Sequence, residues 1–217
     1  MGTEGNANPA TPPPHRMVLA AGAPSILPSS TTSTRTGDLI VLGVDPGTAV
    51  TGYGVVVRDG AGVVTLRECG VIRTQSRAPL PERLRDIYEG VVEVMERHSP
   101  GAVAVEGVFY GKNPRTAVVL GHARGAILLA AALRQLDVAE YPPAEVKSAI
   151  VGTGRATKDQ VGFMVAKLLK LREPPKPNDA ADGVAVALCH CFRGVGAAAR
   201  PPMRFSLRML AEARGAL

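Results

Sequence analysis

The chain has 217 residues, of which 46% are hydrophobic and 4% aromatic, and its net charge is +6 at pH 7. This predicts one globular domain of ordinary size with an aliphatic core and flanking tails. We expect a soluble protein, because no apolar stretch stands out as a membrane span, and its few, irregularly spaced cysteines argue against a disulfide framework. The basic balance favours a polyanionic partner such as nucleic acid.

The first part of the chain predicts a tail followed by a hairpin. Met1 to Asp38 is rich in Pro, Ser, Thr and Gly, so we expect a disordered extension. Leu39 to Val44 is apolar on both faces and ends at Asp45, which predicts a central, fully covered strand. Pro46-Gly47-Thr48 predicts a turn, and Val50 to Val57 predicts a strand that returns beside the first. Asp45 either only starts this turn or, because an uncompensated buried carboxylate is costly, binds a cation or strong donors.

The middle of the chain alternates between strand and helix patterns. Gly62 to Thr74 predicts further strand structure, and apolar residues at helical spacing predict a helix from Pro81 to His98. Ala102 to Val105 predicts a short buried strand, which also ends in an acid, Glu106. Asn113-Pro114 predicts the start of a helix that continues to about Gln135. Since this helix is apolar nearly all round, we expect it to be buried on several sides, including at a subunit interface.

The last part predicts one more strand and three helices. We expect a strand from Val138 to Tyr141, a short helix around Lys147, a helix from Thr157 to Leu171, and a last helix, capped by Asn178, to about Phe192. Cys189-His190-Cys191 falls in that helix, where buried side chains are expected rather than a zinc site. The order of elements predicts an α/β fold with a mixed sheet covered by helices. We expect the domain to span residues 39–193, between the extension and a basic tail, residues 194–217.

Four acids occupy positions that suit a metal site. Asp45 and Glu106 each follow a buried strand, at the rim where open sheets bind ligands. Asp179 and Asp182 share a face of one first helical turn, although two acids there also complement the helix dipole. Hard divalent cations such as Mg²⁺ prefer carboxylate oxygens, and four converging carboxylates would suit two ions. The pattern therefore indicates metal-dependent phosphodiester cleavage.

Basic and aromatic residues accompany the acids. Lys147 and Lys158 lie in the segment that leads to the acidic helix, where they are placed to hold a scissile phosphate. Phe109 follows Glu106 in a predicted loop, where it either stacks on bases or packs in the core. Further candidate DNA contacts are Lys112, Arg115 and Arg155.

Six sequence blocks carry a family resemblance. The blocks are VLGVDPGTAVTGYGVV, CGVIRT, AVEGVFYGKN, LGHARG, VKSAIVGTGRATKDQV and NDAADGVAVALCH. In order and spacing they resemble the RuvC-type Holliday junction resolvases, over about Leu39 to Phe192. The resemblance implies an RNase H-like fold with a five-stranded sheet, and a homodimer that cuts four-way DNA junctions by paired symmetric nicks. It also implies Mg²⁺ or Mn²⁺, two ions per active site, as the cofactor.

The resemblance assigns roles to individual residues. It places the catalytic, metal-binding carboxylates at Asp45, Glu106, Asp179 and Asp182. It places the active-site lysines at Lys147 and Lys158, and the junction-stacking aromatic at Phe109. The RuvA–RuvB branch-migration complex is the implied partner and the bacterial cytoplasm the implied location. The long extension and Gly107, where some relatives carry a larger polar residue, depart from the family pattern.

Three other functions share part of this pattern. A YqgF-type nuclease acting on RNA would share the fold and the first acid, but the complete set of blocks argues against it. An actin-like sugar or acetate kinase also has a loop like Asp45-Pro46-Gly47-Thr48, yet it needs two domains. A non-catalytic junction binder should have lost at least one of the four acids, and none is lost.

Overall fold

The computed structural model describes residues 16–19, 37–107 and 114–194. Within these ranges, six strands form one mixed sheet in the order β1-β4-β3-β2-β5-β6, and five helices cover it. The strands are β1 (Arg16–Leu19), β2 (Leu39–Asp45), β3 (Val50–Arg58), β4 (Val64–Arg73), β5 (Ala102–Glu106) and β6 (Asp137–Tyr141). The helices are α1 (Leu80–His98), α2 (Pro114–Leu133), α3 (Pro143–Val151), α4 (Lys158–Leu168) and α5 (Asn178–Arg193).

The predicted α/β architecture is confirmed, with β2 in the interior of the sheet. β2 pairs antiparallel with β3, as the hairpin prediction requires, and parallel with β5, which in turn pairs parallel with β6. Helices α1 and α2 pack on one face of the sheet through a core that includes Leu42 and Val44. Helices α3, α4 and α5 cover the other face through a core that includes Val41. Covering both faces explains why β2 is a continuous apolar run.

The sheet has six strands rather than the expected five. The additional strand, β1, lies inside the segment that we expected to be disordered, and it pairs antiparallel with β4. Met17, opposite Ile72, and Val18, opposite Val71, are half-buried. The expectation was wrong for these four residues, because composition averaged over a long segment hides a short apolar run that needs only an open strand edge to pair. Residues 1–15, 20–36 and 195–217 lie outside the described ranges.

The predicted helices are present, with differences at their ends. Thr157 caps α4 as predicted: its Oγ1 accepts a hydrogen bond from the backbone N–H of Gln160, whose side chain accepts one from the Thr157 N–H. Helix α4 stops at Leu168, short of the predicted end, and Lys170 follows at φ 54°. Asn178 is part of α5 rather than its cap, and Pro177 occupies the cap position without a side-chain hydrogen bond.

Helix α2 is only partly buried within this chain. Its buried side chains are Ala123, Ile127, Ala130 and Ala131. The side chains of Val118, Leu129 and Leu133 are 60%, 54% and 63% exposed. In the part of the chain that the structure describes, Arg115–Leu133 is the one helix long and apolar enough to cross a membrane, contrary to the expectation of no such stretch. This finding rests on length and composition alone, and a helix that packs in a subunit interface can have the same length and composition.

Candidate active site

Parallel pairing brings the first two acids together. Val44 of β2 lies beside Val105 of β5, so the last residues of these strands, Asp45 and Glu106, lie side by side at the same end of the sheet. Both valines are fully buried, whereas both acids are half-buried. The two carboxylates therefore sit at the boundary between the core and the solvent.

Helix α5 brings the other two acids to this edge. It packs directly on β2 and β3, with Asp179 and Asp182 in its first turns. Carboxylate oxygens of Asp45, Asp179 and Asp182 all lie within 4.8 Å of one another, and the Glu106 carboxylate lies close enough to that of Asp45 to raise its pKa. Three of the four predicted acids thus form one group, and the fourth, Glu106, lies beside Asp45, although the four come from three different elements.

The acids repel one another in a partly desolvated place. Burial, and then the neighbouring Glu106 and Asp182 carboxylates, raise the pKa of Asp45 to about 8, against the opposing charge of Lys158. Burial is also the main cause that raises the pKa of Glu106. Near neutral pH the Asp45–Glu106 pair therefore retains a proton that a cation would displace.

This cluster fits a hard divalent cation. Its donors are carboxylate oxygens, which Mg²⁺ and Mn²⁺ prefer, and their spacing allows several of them to bind one ion. The Cys189-His190-Cys191 segment lies elsewhere: both cysteines are fully buried, as predicted, and His190 Nδ1 is 2.8 Å from the hydroxyl of Tyr141.

Two lysines face the acids from α3 and α4. Lys158, the first residue of α4, donates a hydrogen bond from Nζ to Asp182 Oδ2 at 2.8 Å, and this bond raises the pKa of the lysine. Lys147 on α3 is half-buried and close enough to Glu106 for its charge to lower the pKa of that acid. The capped start of α4 thus places one cation at the carboxylate cluster.

The remaining predicted site residues lie farther out or outside the described ranges. Arg155 is exposed in the loop before α4, where its backbone N–H donates to Thr153 Oγ1. Arg115 is exposed in the first turn of α2. Phe109 and Lys112 belong to residues 108–113, which lie outside the described ranges.

The turn after Asp45 is held by hydrogen bonds that the sequence analysis missed. Thr51, fully buried, donates from Oγ1 to the Gly47 carbonyl at 2.7 Å. The carbonyl of Thr48 accepts bonds from Thr74 Oγ1 at 2.6 Å and from Arg83 Nε at 3.1 Å. A threonine inside an otherwise apolar strand was the available signal for the first bond. These contacts fix the direction in which the chain leaves Asp45.

Comparison with known proteins gives a consistent match over the described domain. The family model for crossover junction endodeoxyribonuclease RuvC matches residues 41–190. The enzymes of that name from Pelotomaculum thermopropionicum and Desulforamulus reducens are 51% and 48% identical over 152 residues, which is 70% of this chain and 92% and 93% of theirs.

Solved structures agree with this match. The Thermus thermophilus RuvC structure superposes with a TM-score of 0.67 at 39% identity, covering 72% of this chain and 96% of that one. The structure of T. thermophilus RuvC in complex with a Holliday junction substrate gives a TM-score of 0.66 at 37% identity, with the same coverage.

Proposed function

This chain belongs to the RuvC family of crossover junction endodeoxyribonucleases, and from that premise we propose which of its residues carry out the reaction. It is a metal-dependent endonuclease that hydrolyses phosphodiester bonds and resolves four-way DNA junctions. The proposed active site consists of Asp45, Glu106, Asp179 and Asp182. The observation that carries this assignment is the convergence of their carboxylates at one edge of the sheet.

The four carboxylates are proposed to hold two Mg²⁺ or Mn²⁺ ions. When bound, such ions supply an activated water and stabilise the charge on the leaving oxygen of the phosphodiester. The raised pKa values of Asp45 and Glu106 support this proposal, because partly buried carboxylates held close together are stabilised by a bound cation. The oxygen-only donor set favours these ions over zinc.

The two lysines are proposed to bind the scissile phosphate. Lys158 holds Asp182 in place through its ion pair and, with most of its side chain exposed, it is also accessible to a phosphate bound at the carboxylate cluster. Lys147 adds a second cation on the Glu106 side of the cluster. Together they would balance the charge that builds up on the phosphate oxygens during cleavage.

Residues around the active site are proposed to position the junction. Phe109, which follows Glu106 by three positions, would stack on an exposed base at the junction. Lys112, Arg115 and Arg155 would contact backbone phosphates, which position DNA without reading its sequence. The net charge of +6 supports a polyanionic substrate.

We propose that the enzyme is a homodimer whose two active sites nick strands of like polarity. The exposed apolar side chains Val118, Leu129 and Leu133 of α2 support an interface on that helix. The proposed partner is the RuvA–RuvB branch-migration complex, and the proposed location is the bacterial cytoplasm. We assign the nuclease to residues 39–193, between an N-terminal extension and a basic C-terminal tail.

Charge-neutralising substitutions test the active site. We expect Asp45→Asn, Glu106→Gln and Asp179→Asn each to lower cleavage of a synthetic four-way junction by more than about 100-fold, since losing a ligand costs more than losing a group that only orients one. Junction binding should persist, because it rests on basic residues and shape. Cleavage rates in Mg²⁺, Mn²⁺ and EDTA, beside binding measurements, check both expectations.

Asp59→Asn is the matched control. Asp59 directly follows β3, at the end of the strand opposite to the end that lies beside Asp45. It accepts hydrogen bonds from the backbone N–H groups of Ala61 and Val63. Asparagine can also accept these bonds, so this variant should cleave like the wild type. Equal cutting of a linear duplex by the wild type, or full activity of Asp45→Asn, would contradict the proposal.

A further inference from the structure

We propose that Gly52 is a positioning residue that sets the distance between Asp179 and Asp45 before any metal ion binds. The inference rests on the active site proposed above. Gly52 of β3 is the cross-strand partner of Asp45 of β2. Directly opposed residues in an antiparallel pair have Cα atoms only about 4.5–5.5 Å apart. Whatever rests on Gly52 is therefore next to Asp45.

The backbone of Asp179 occupies the space that a side chain at position 52 would need. A Cβ atom on Gly52 would lie 1.8 Å from the carbonyl oxygen of Asp179 and 2.5 Å from its carbonyl carbon. These are backbone atoms, so no side-chain rotation can relieve the collision. Any residue other than glycine would therefore push the first turn of α5 away from the sheet.

A second pair of glycines supports the next part of the helix. Gly43 and Gly54 are also cross-strand partners, two residues from the Asp45–Gly52 pair. A Cβ atom on Gly43 would lie 2.3 Å from the backbone N of Ala187, and one on Gly54 would lie 2.4 Å from Val184 Cγ2. These contacts hold the body of α5, whereas only the Gly52 contact involves a metal-binding residue.

The displacement that a side chain at position 52 would cause is large for a metal site. To reach ordinary van der Waals contact, the Asp179 carbonyl would have to move from 1.8 Å to at least 3.4 Å from the new Cβ. Site residues must be held within roughly 0.5 Å of the productive geometry. Gly52→Ala should therefore separate Asp179 from Asp45 enough to weaken shared binding of an ion.

Metal titration of full-length variants tests the role of Gly52. We expect Gly52→Ala to raise the Mn²⁺ concentration at half-saturation about 10- to 100-fold, the loss typical of a group that orients a metal ligand. The matched control is Gly90→Ala on α1: its Cβ would lie 2.8 Å from Ile72 Cγ2, so it crowds the core on the other face of the sheet and not the contact with α5. The control should change the Mn²⁺ concentration at half-saturation by less than about threefold, although both variants lose thermal stability. The measurements are Mn²⁺ binding by electron paramagnetic resonance, the Mn²⁺ dependence of cleavage, and thermal unfolding.

The outcomes separate this proposal from the active-site assignment. Equal metal affinities for Gly52→Ala and Gly90→Ala would overturn the special role of Gly52, while Mn²⁺ binding by the wild type would leave the active site intact. Absence of Mn²⁺ binding by the wild type would contradict the active site itself.

Hydrogen exchange on the wild-type protein tests the same idea if Gly52→Ala fails to fold. A helix start positioned by Gly52 should be ordered without metal. On adding Mn²⁺, amide exchange from Asp182 to Val186 should therefore slow no more than about threefold beyond that from Ala187 to Cys191 in the same helix, which reports the overall stabilisation by bound metal. An additional slowing of more than about tenfold, confined to Asp182 to Val186, would mean that the metal orders this turn, and it would overturn the proposal.

Discussion

At the scale of single residues, the ion pair between Lys158 and Asp182 links the basic and acidic parts of the site. Nζ and Oδ2 are 2.8 Å apart, and the lysine side chain is 67% exposed while that of the aspartate is 19% exposed. An ion pair with one exposed partner contributes little to folding, because water and salt screen it. We therefore propose that this ion pair serves to orient Asp182 and to present a cation to the substrate.

Lys158→Met tests this division between activity and stability. We expect junction cleavage to fall about a hundredfold, as when one preorganised donor is removed from an active site. The free energy of unfolding should change by less than about 1 kcal/mol, because exposed ion pairs contribute no more than that. Cleavage rates and urea denaturation measure the two quantities.

Lys176→Met provides the matched control for that substitution. Lys176 pairs with Glu173 at 3.0 Å and its side chain is 64% exposed, so it matches Lys158 in exposure and in having one acidic partner, but that partner is not one of the four acids. The Lys176→Met variant should cleave the junction at a rate within about threefold of that of the wild type. Equal losses in the two lysine variants would show that general basic charge, rather than the contact with Asp182, matters.

At the scale of elements, Glu68 joins β4 to β3 and to the end of α1. Its carboxylate accepts hydrogen bonds from the Tyr53 hydroxyl at 2.8 Å and from Arg97 Nη2 at 2.6 Å, and it lies 2.9 Å from His98 Nε2. Burial alone would raise the pKa of Glu68, but the bonds from His98, Arg97 and Tyr53 outweigh it and lower the pKa to about 2. The charged form is therefore favoured in the folded protein.

The depressed pKa of Glu68 predicts an acid-sensitive contribution to stability. The folded pKa is about 2 and the ordinary value is 4.5, so the contribution is complete above pH 4.5 and is lost as the pH falls towards 2. Glu68→Gln should lower the free energy of unfolding by about 1–3 kcal/mol at pH 7, because a buried charged acceptor is removed. Urea denaturation at a series of pH values should show the difference from the wild type shrinking below pH 4.5.

Glu96→Gln is the control for this experiment. Glu96, also on α1, pairs with Arg134 but its side chain is 66% exposed. Its effect on stability should be below about 1 kcal/mol. The wild type and Glu68→Gln could instead differ in the free energy of unfolding by an amount that does not change between pH 4.5 and 2. That result would argue against an acid-labile network at Glu68.

At the scale of the whole molecule, α2 leaves an apolar surface uncovered. Val118, Leu129 and Leu133 are each more than half exposed, and nothing lies within 4 Å of a Cβ built on Gly121 or Gly125. Exposed apolar side chains along one helix, with small residues that admit a close neighbour, are typical of a protein interface. A second copy of the chain would cover this surface and place two active sites in one assembly.

Leu129→Lys tests the proposed dimer. A charge in the centre of the interface should raise the dimer dissociation constant at least about 30-fold, as expected for a buried interface anchor. The monomer fold should persist, because Leu129 is already exposed in it. Val63→Lys is the control, since Val63 is 51% exposed in a loop on another part of the surface. Sedimentation at micromolar concentration measures the oligomeric state of both variants and of the wild type. A monomeric wild type would contradict the proposal.

Sequence patterns were sufficient for most elements but not for all of their surroundings. The periodicity of α1 and the apolar run of β2 are local signals, and both elements are present as predicted. Strand β1 was missed because its four residues gain stability only from the open edge of β4. The burial of α2 at a subunit interface stays a prediction, because an apolar composition does not say whether the covering surface belongs to the same chain.

The sequence by itself determined the family, the α/β class and the four acids of the candidate site, because motif order, turn residues and hydrophobic periodicity are properties of the chain. Only the tertiary structure decided that Asp45 and Glu106 lie side by side at the ends of their strands. It also decided that Asp179 rests on Gly52, the residue opposite Asp45. Strand register and the contact between α5 and the sheet arise from packing between distant segments, which local sequence does not encode. The carboxylates lie together because β2 pairs in parallel with β5 and because Gly52 lets α5 approach β3 closely.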